Sequence, residues 1–311
     1  MKVAPKKGVV PDLYKMLTYR RPHNSEGERD FIRDFVMPLN PTVIADKNIP
    51  MAFIVEIGNS DIMFTCHVDT VHAKLPFSRQ RVILKDGLYQ KEDNQPLGAD
   101  DAAGVWLLIN MINAKVPGVY AFFRGEECGG IGSSYCAKYR PELFNDIKCA
   151  IAFDRRGMKS IITHQAMSRG CSDEFGLSLA KVIGMEHELD DSGIYTDTAE
   201  FFDLVTNCTN VSVGYQHEHS KNEILDKAYI EALRDRLLIA KWDQLDHTAP
   251  VQAVTTATYL TSTSRPLFDV SSAIGATDIA DFIYDNAHVL PRQLQEEALH
   301  LAQKIYKRFE G

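Results

Sequence analysis

The sequence predicts an α/β protein: a mostly parallel or mixed central sheet with helices on both faces, plus a small C-terminal helical extension. Three observations predict it. Short apolar runs alternate with helix-spaced segments through the first two thirds of the chain, and acidic, glycine-punctuated motifs stand at the ends of several of those runs. Beyond Glu223 a long polar helical pattern leads into a Thr/Ala/Ser/Pro stretch and two further helical patterns. Strand–helix alternation places helices on both faces of a sheet, and ligands in such folds bind beyond the carboxyl ends of the strands.

The elements follow in order. From Asp12 to Met37 the spacing of Leu13, Met16 and Leu17, and after a break at Arg21 to Gly27 of Phe31, Ile32, Phe35 and Val36, is helical. Met51 to Ile57 and Ile62 to Cys66 read as strands, with the turn Gly58-Asn59-Ser60-Asp61 suggesting a hairpin. Strands follow at Tyr120 to Phe123, Cys149 to Phe153, Ser160 to Thr163 and Asn210 to Val213. Helices are expected at Ala102 to Ala114, Ser133 to Lys138, Asp173 to Ile183, Thr198 to Leu204 and Ala228 to Asp246. Thr248 to Pro266 reads as a linker, and Pro291 opens a last helix with Leu294, Ala298, Leu301 and Ile305 on one face. The expected division is a main domain over 1–247, a linker over 248–268 and a helical extension over 269–311, whose apolar stripe suits docking or self-association as a homo-oligomer.

With 311 residues and 45% hydrophobic content, the chain can bury a sizeable core without staples. Its formal charge of −8, with both signs interspersed, leaves no basic stripe for nucleic acid or an acidic membrane leaflet. Cys66, Cys128, Cys136, Cys149, Cys171 and Cys208 form no C-x-x-C pair and lie mostly in apolar or motif segments, which suits buried thiols in a reducing, cytoplasmic setting. Met1 to Val10 is basic but lacks an apolar stretch of signal length, and nothing later approaches the ~20 apolar residues of a membrane span.

Five motifs carry side chains of metal-ligand type. In His67-Val68-Asp69, alternation along an extended backbone puts His67 and Asp69 on one side, so Asp69 can orient the imidazole. In Gly98-Ala99-Asp100-Asp101, a helix cap explains Asp101 but not a second, repelling carboxylate at Asp100. In Gly125-Glu126-Glu127-Cys128-Gly129, directly after an apolar strand, neighbouring side chains diverge, so one Glu can bind metal while the other faces a reacting water. Adjacent acids cannot straddle a sugar ring, which disfavours a glycosidase. Asp154 ends another apolar strand and precedes Arg155 and Arg156, where surface ion pairing is the ordinary alternative. Either His217 or His219 can supply a late imidazole. Two imidazoles and three carboxylates suit a pair of zinc ions, since both donor types bind zinc at about 2 Å and one carboxylate can bridge two metals. The set points to metal-assisted amide hydrolysis.

This ordered set, His67-Val68-Asp69, Gly98-Ala99-Asp100-Asp101, Gly125-Glu126-Glu127-Cys128-Gly129, Asp154 and His219, resembles the dinuclear zinc exopeptidase superfamily of leucyl- and glutamyl-type aminopeptidases, tripeptidase T and aminoacylases. The resemblance spans roughly Asp12 to Leu225. It implies that Asp100 bridges two zinc ions (cobalt or manganese being substitutes), that His67 and Asp154 complete one site, and that Glu127 and His219 complete the other. It also implies Glu126 as general base, Asp69 as orienter of His67, and a cis peptide between Asp100 and Asp101. His219 is selected over His217 because His219-Ser220-Lys221-Asn222-Glu223 looks like the family's H-S-x-x-E ending. Since 219 − 154 = 65 residues leave no room for the lid domain of larger relatives, the compact aminopeptidase type is the nearer one.

The expected reaction is hydrolysis of a terminal peptide bond in a small peptide, with carboxypeptidase, deacylation of an acylated amino acid, and a metal-binding scaffold without turnover as rival readings. Arg155 or Arg156 suits a substrate carboxylate. Asp197 suits a substrate amine, helix capping being its ordinary alternative.

Overall fold

Apolar residues at alternating positions of the same strands fill two separate cores, so the central sheet is covered on both faces. The computed structural model describes residues 12–74 and 77–250. The chain enters through α1 (Leu13–Leu17) and α2 (Glu26–Phe31), the latter continuing as a π-helical turn at Ile32–Val36. Strands β1 (Thr42–Asp46), β2 (Ile49–Ile57), β3 (Ile62–His67), β4 (Val82–Lys85) and β5 (Leu88–Lys91) precede α3 (Ala99–Asn113). Then come β6 (Gly118–Phe123), α4 (Ile131–Tyr139), β7 (Cys149–Arg155), β8 (Ser160–Ile162), β9 (His164–Gln165), β10 (Ser168–Arg169) and α5 (Asp173–Ile183). The described chain closes with β11 (Glu188–Asp190), β12 (Asn207–Ser212), β13 (Tyr215–Gln216), β14 (Ile224–Asp226) and α6 (Lys227–Ile239). Eight strands form one mixed sheet in the order β1-β2-β6-β3-β7-β12-β8-β11, and β13-β14-β5-β4 form a smaller one.

Phe53, Phe64, Tyr120 and Ile151 point to one face, where α1, α3, α5 and α6 bring Met16, Leu107, Phe175 and Leu233. Their strand neighbours Ile54, Met63, Ala121 and Ala150 point to the other, against Cys136 of α4 and the rings of Phe144 and Phe201. This is period-two alternation with both faces apolar, the pattern of a central strand. Helix ends follow local chemistry. Ser172 accepts from the Phe175 amide to start α5 and Gly184, at φ +67°, ends it. Asp226 caps α6 through the Tyr229 amide. Removing such a cap costs about 1 kcal/mol.

Three readings are corrected. β2 and β3 do not form a hairpin: β6 lies between them, antiparallel to β2 and parallel to β3. Every residue of β3 is buried, so its backbone groups need strands on both edges, and β6 and β7 supply them. The four residues of the turn suffice to step across the intervening strand, about 10 Å. The helix expected to reach Asp246 stops at Ile239, where Ala240 turns extended and Trp242 folds back edge-on to Phe64 in the core. The helix expected over Thr198 to Leu204 is a single 3-10 turn, Asp197–Phe201. All but the first three residues of the expected linker, and the helical extension over 269–311, lie outside the described residues.

Candidate metal centre

Three adjacent parallel strands, β6, β3 and β7, end at the same edge of the sheet. That edge receives His67 as the last residue of β3, Asp154 near the end of β7, and Glu126 and Glu127 in the turn after β6. Asp100 arrives from the first turn of α3, and the peptide joining it to Asp101 is cis. His219 comes from the loop between β13 and β14 and has a left-handed backbone, φ +59°.

The five donor residues meet in one cluster. His67 Nε2 stands 3.0 Å from Asp100 Oδ1, 3.4 Å from Asp154 Oδ1 and 4.0 Å from Glu126 Oε2. His219 Nε2 stands 3.0 Å from Asp100 Oδ2 and 3.0 Å from Glu127 Oε1. The two oxygens of Asp100 therefore face two different imidazoles. His217 is exposed and turns instead toward a cavity of about 420 Å³ that it lines with Arg155, Arg156 and Gln216.

Hydrogen bonds fix the carboxylates that hold this arrangement. Asp69 Oδ1 accepts from the Gly125 and Glu126 amides at 2.8 and 3.2 Å and lies 3.6 Å from His67 Nδ1, beyond hydrogen-bond range. Asp101 accepts from the Gly104 amide at 2.7 Å and the His67 amide at 3.3 Å, so it serves as a cap and a strut. Its donor atoms also lie close to those of His67 and Asp154, but those two amides already engage its oxygens, whereas Asp100 turns both of its own to imidazoles.

Sequence reasoning missed the hydroxyls that seat Asp154. Thr196 donates to its Oδ2 at 2.6 Å, and Tyr215 donates to its backbone carbonyl at 2.9 Å. No periodicity marks them, because both lie in loop or two-residue strand segments. Of the substrate-side candidates, Arg155 donates to Ser192 Oγ at 3.0 Å and to Asp190 at 3.4 Å. Asp197 is 1% exposed, makes no capping bond and leaves both carboxylate oxygens unpaired.

Charge is badly balanced here. Burial pushes the Glu126 carboxyl well up, helped by Asp154 and Glu127, and burial with Asp100 lifts Glu127 to about 7. Burial also raises Asp197 to about 8. Burial opposes charging of His67, but Asp154, Asp100 and Asp69 hold its pKa well above the usual imidazole value. Hydrogen bonds to Asp100 and Glu127 raise His219 to about 11. Carboxyls that resist ionising beside imidazoles that cling to protons describe a cluster short of positive charge.

Divalent cations fit that shortage. The donor atoms of His67, Asp100 and Glu127 lie within 4.8 Å of one another. The 3.0 to 3.4 Å contacts match the separation of roughly 3.3 Å between donors on a tetrahedral ion with bonds of about 2 Å. Glu127 Oε1 is buried with His219 Nε2 at 3.0 Å beside it. Among the described residues all cysteines are free; five are buried and Cys128 is exposed. No helix among them is long and apolar enough to cross a membrane.

Residues 53–256 match the model of peptidase family M28. No curated protein sequence matches the chain significantly. Among solved structures, the chain is similar to the aminopeptidase PepT from Bacillus cereus, at 15% identity over 73% of this chain and 95% of that one, with a TM-score of 0.55. It is also similar to a tripeptidase from Staphylococcus aureus, at 14% identity over 73% and 95%, TM-score 0.55. The TET1 peptidase of Pyrococcus horikoshii aligns at 16% identity over 73% and 98%, TM-score 0.56. At these identities the likeness is one of fold.

Proposed function

The chain belongs to peptidase family M28 and is a metal-dependent exopeptidase; from that premise we propose that it is a two-zinc aminopeptidase acting on small peptides. Asp100 carries the reading, since each of its oxygens stands 3.0 Å from a different imidazole. His67 and Asp154 would hold one cation, Glu127 and His219 the other, and Asp100 both. Zinc suits these donors, and cobalt or manganese accept them too. When bound, the cations supply Lewis acidity to the scissile carbonyl and draw the pKa of a water toward neutrality.

The chain's own groups handle the proton. Glu126 borders the cluster without being needed to complete it, and its burial favours holding a proton between taking it from water and returning it to the leaving amine. Asp69 anchors the turn that carries Glu126 while its carboxylate faces the His67 ring, so it orients base and ligand together. Asp197, an unpaired acid close enough to Glu126 to raise its pKa, is our candidate for the substrate amine. Arg155, lining the cavity beside the His219 loop, is our candidate for a substrate carboxylate.

Glu126→Gln is expected to keep two metal ions and lose about 100- to 10,000-fold in kcat, and normal turnover in that variant would contradict the assignment. A panel of peptides with free or blocked ends, together with N-acyl amino acids, identifies the bond cleaved. Cleavage confined to peptides with a free amino end supports the aminopeptidase reading. Dependence on a free carboxyl end, or release of an acyl group, replaces it. The TET1 peptidase is described as assembling into a tetrahedron or a large octahedral shell; self-association through residues 269–311, and a cytoplasmic setting, complete our reading. Sedimentation of the full chain measures the first.

A further inference from the structure

Behind the cluster sits a charged residue that no motif contains. Arg21, between α1 and α2 and ahead of the family-matched span, is 0% exposed, with its guanidinium stacked 4.4 Å over the Phe31 ring. Burying a guanidinium so completely is costly, and two of its three nitrogens find hydrogen-bond partners while Nη1 has none. Its Nε donates to the Val68 carbonyl at 2.9 Å, between His67 and Asp69, and its Nη2 donates to the Gly98 carbonyl at 3.0 Å, two residues before Asp100. Its own backbone exchanges hydrogen bonds with Thr70, through the side chain at 3.2 Å and the amide at 3.0 Å.

The same loop is gripped from its opposite side. Glu223, four residues after His219 and buried, accepts from the Leu97 amide at 2.9 Å and the Gly98 amide at 3.1 Å through one oxygen. Its other oxygen accepts from the Asp100 amide at 3.1 Å. Gly98 has a left-handed φ of +73°, and a Cβ there would come within 2.8 Å of His72 Cε1, so this backbone has little room to shift.

We propose that Arg21 and Glu223 are positioning residues that hold the Gly98–Asp100 backbone between them and so set the separation of His67 and His219 across Asp100. One unbroken series of hydrogen bonds runs from the His67 strand end through Arg21 to Gly98, and through Glu223 to the His219 loop. Arg21 suits the task because its planar fork reaches two carbonyls on different segments at once, which the single ammonium of lysine does not. The helical lead-in is thereby part of the centre. This inference rests on the two-ion reading.

The test uses the full chain with zinc, titrated against a competing chelator, and peptide kinetics. Two tight zinc equivalents in the wild type are the premise; their absence removes the two-ion reading itself. With that premise met, Arg21→Lys and Glu223→Gln are each expected to weaken zinc by about 10- to 100-fold and to lower kcat with KM little changed. The double variant should cost less than the product of the single effects, as expected of one linked unit. Leu179→Ala, a core truncation in α5, serves as control: it should lower Tm and leave zinc affinity alone. Folded Arg21→Lys with wild-type zinc affinity and kcat overturns the proposal. If Arg21→Lys does not fold, the same result in folded Glu223→Gln overturns it.

Discussion

The two imidazoles of the cluster meet one carboxylate at one distance, yet they belong to opposite kinds of structure. His67 is 1% exposed at the end of a strand paired on both edges, with carboxylates on three sides. His219 is 50% exposed and hangs from a loop between two short strands of the small sheet. Half of the candidate centre is thus made by the core, and half is closed onto it by a loop. The first half depends on the same contacts as folding, and the second on a loop tied to the Gly98–Asp100 backbone through Glu223.

Removing the core imidazole should have the largest effect on stability. In metal-free protein, His67→Ala leaves Asp100 and Asp154 buried without their cationic partner and is expected to cost about 3 to 5 kcal/mol in denaturant unfolding. An unchanged midpoint would break the contrast.

A third imidazole sharpens it at intermediate size. His187 is 7% exposed, nearly as buried as His67, but its partners are uncharged, the Tyr229 hydroxyl and the Ser212 backbone. Burial therefore lowers its pKa to about 4, where the same burial at His67 is overridden by carboxylates. Below its ordinary value near 6.5 the unfolded chain binds a proton that the folded chain refuses, so stability falls as pH drops from about 7 toward 4. Between pH 7.5 and pH 5 this imidazole should account for about 2 kcal/mol of lost stability. His187→Gln should flatten the pH dependence by that amount, and an identical profile would show that His187 charges freely in the fold.

The smallest stability effect belongs to the loop. In metal-free protein, His219→Ala should cost less unfolding free energy than His67→Ala, because half of its side chain faces solvent, while removing one zinc equivalent. A loss as large as that of His67→Ala would mean that the two halves are not built differently.

Much of the candidate cluster was legible because its residues lie where sequence patterns are loudest. His67 and Asp154 end apolar runs, and Glu126 and Glu127 sit in a glycine-bounded acidic turn. The pairing of strands was not legible in the same way. A Gly-Asn-Ser-Asp turn between two apolar runs carries the local chemistry of a hairpin, while the strand that separates β2 from β3 comes more than fifty residues later in the chain. Nor does periodicity announce Arg21 or Glu28. Each reads as an ordinary charge in a helical lead-in, and each is buried only because a distant segment supplies partners: Val68 and Gly98 for Arg21, Arg124 for Glu28. Trp242 ends α6 early for a similar reason, since its site against Phe64 exists only in the folded sheet.

In the proposed function Asp100 joins two cation sites. Zinc titration of the metal-stripped full chain tests it most directly, with stoichiometry read for the wild type and for Asp100→Ala. Two equivalents in the wild type and fewer in the variant are predicted. Fewer than two in the wild type, or two retained undiminished without the Asp100 carboxylate, would contradict the account.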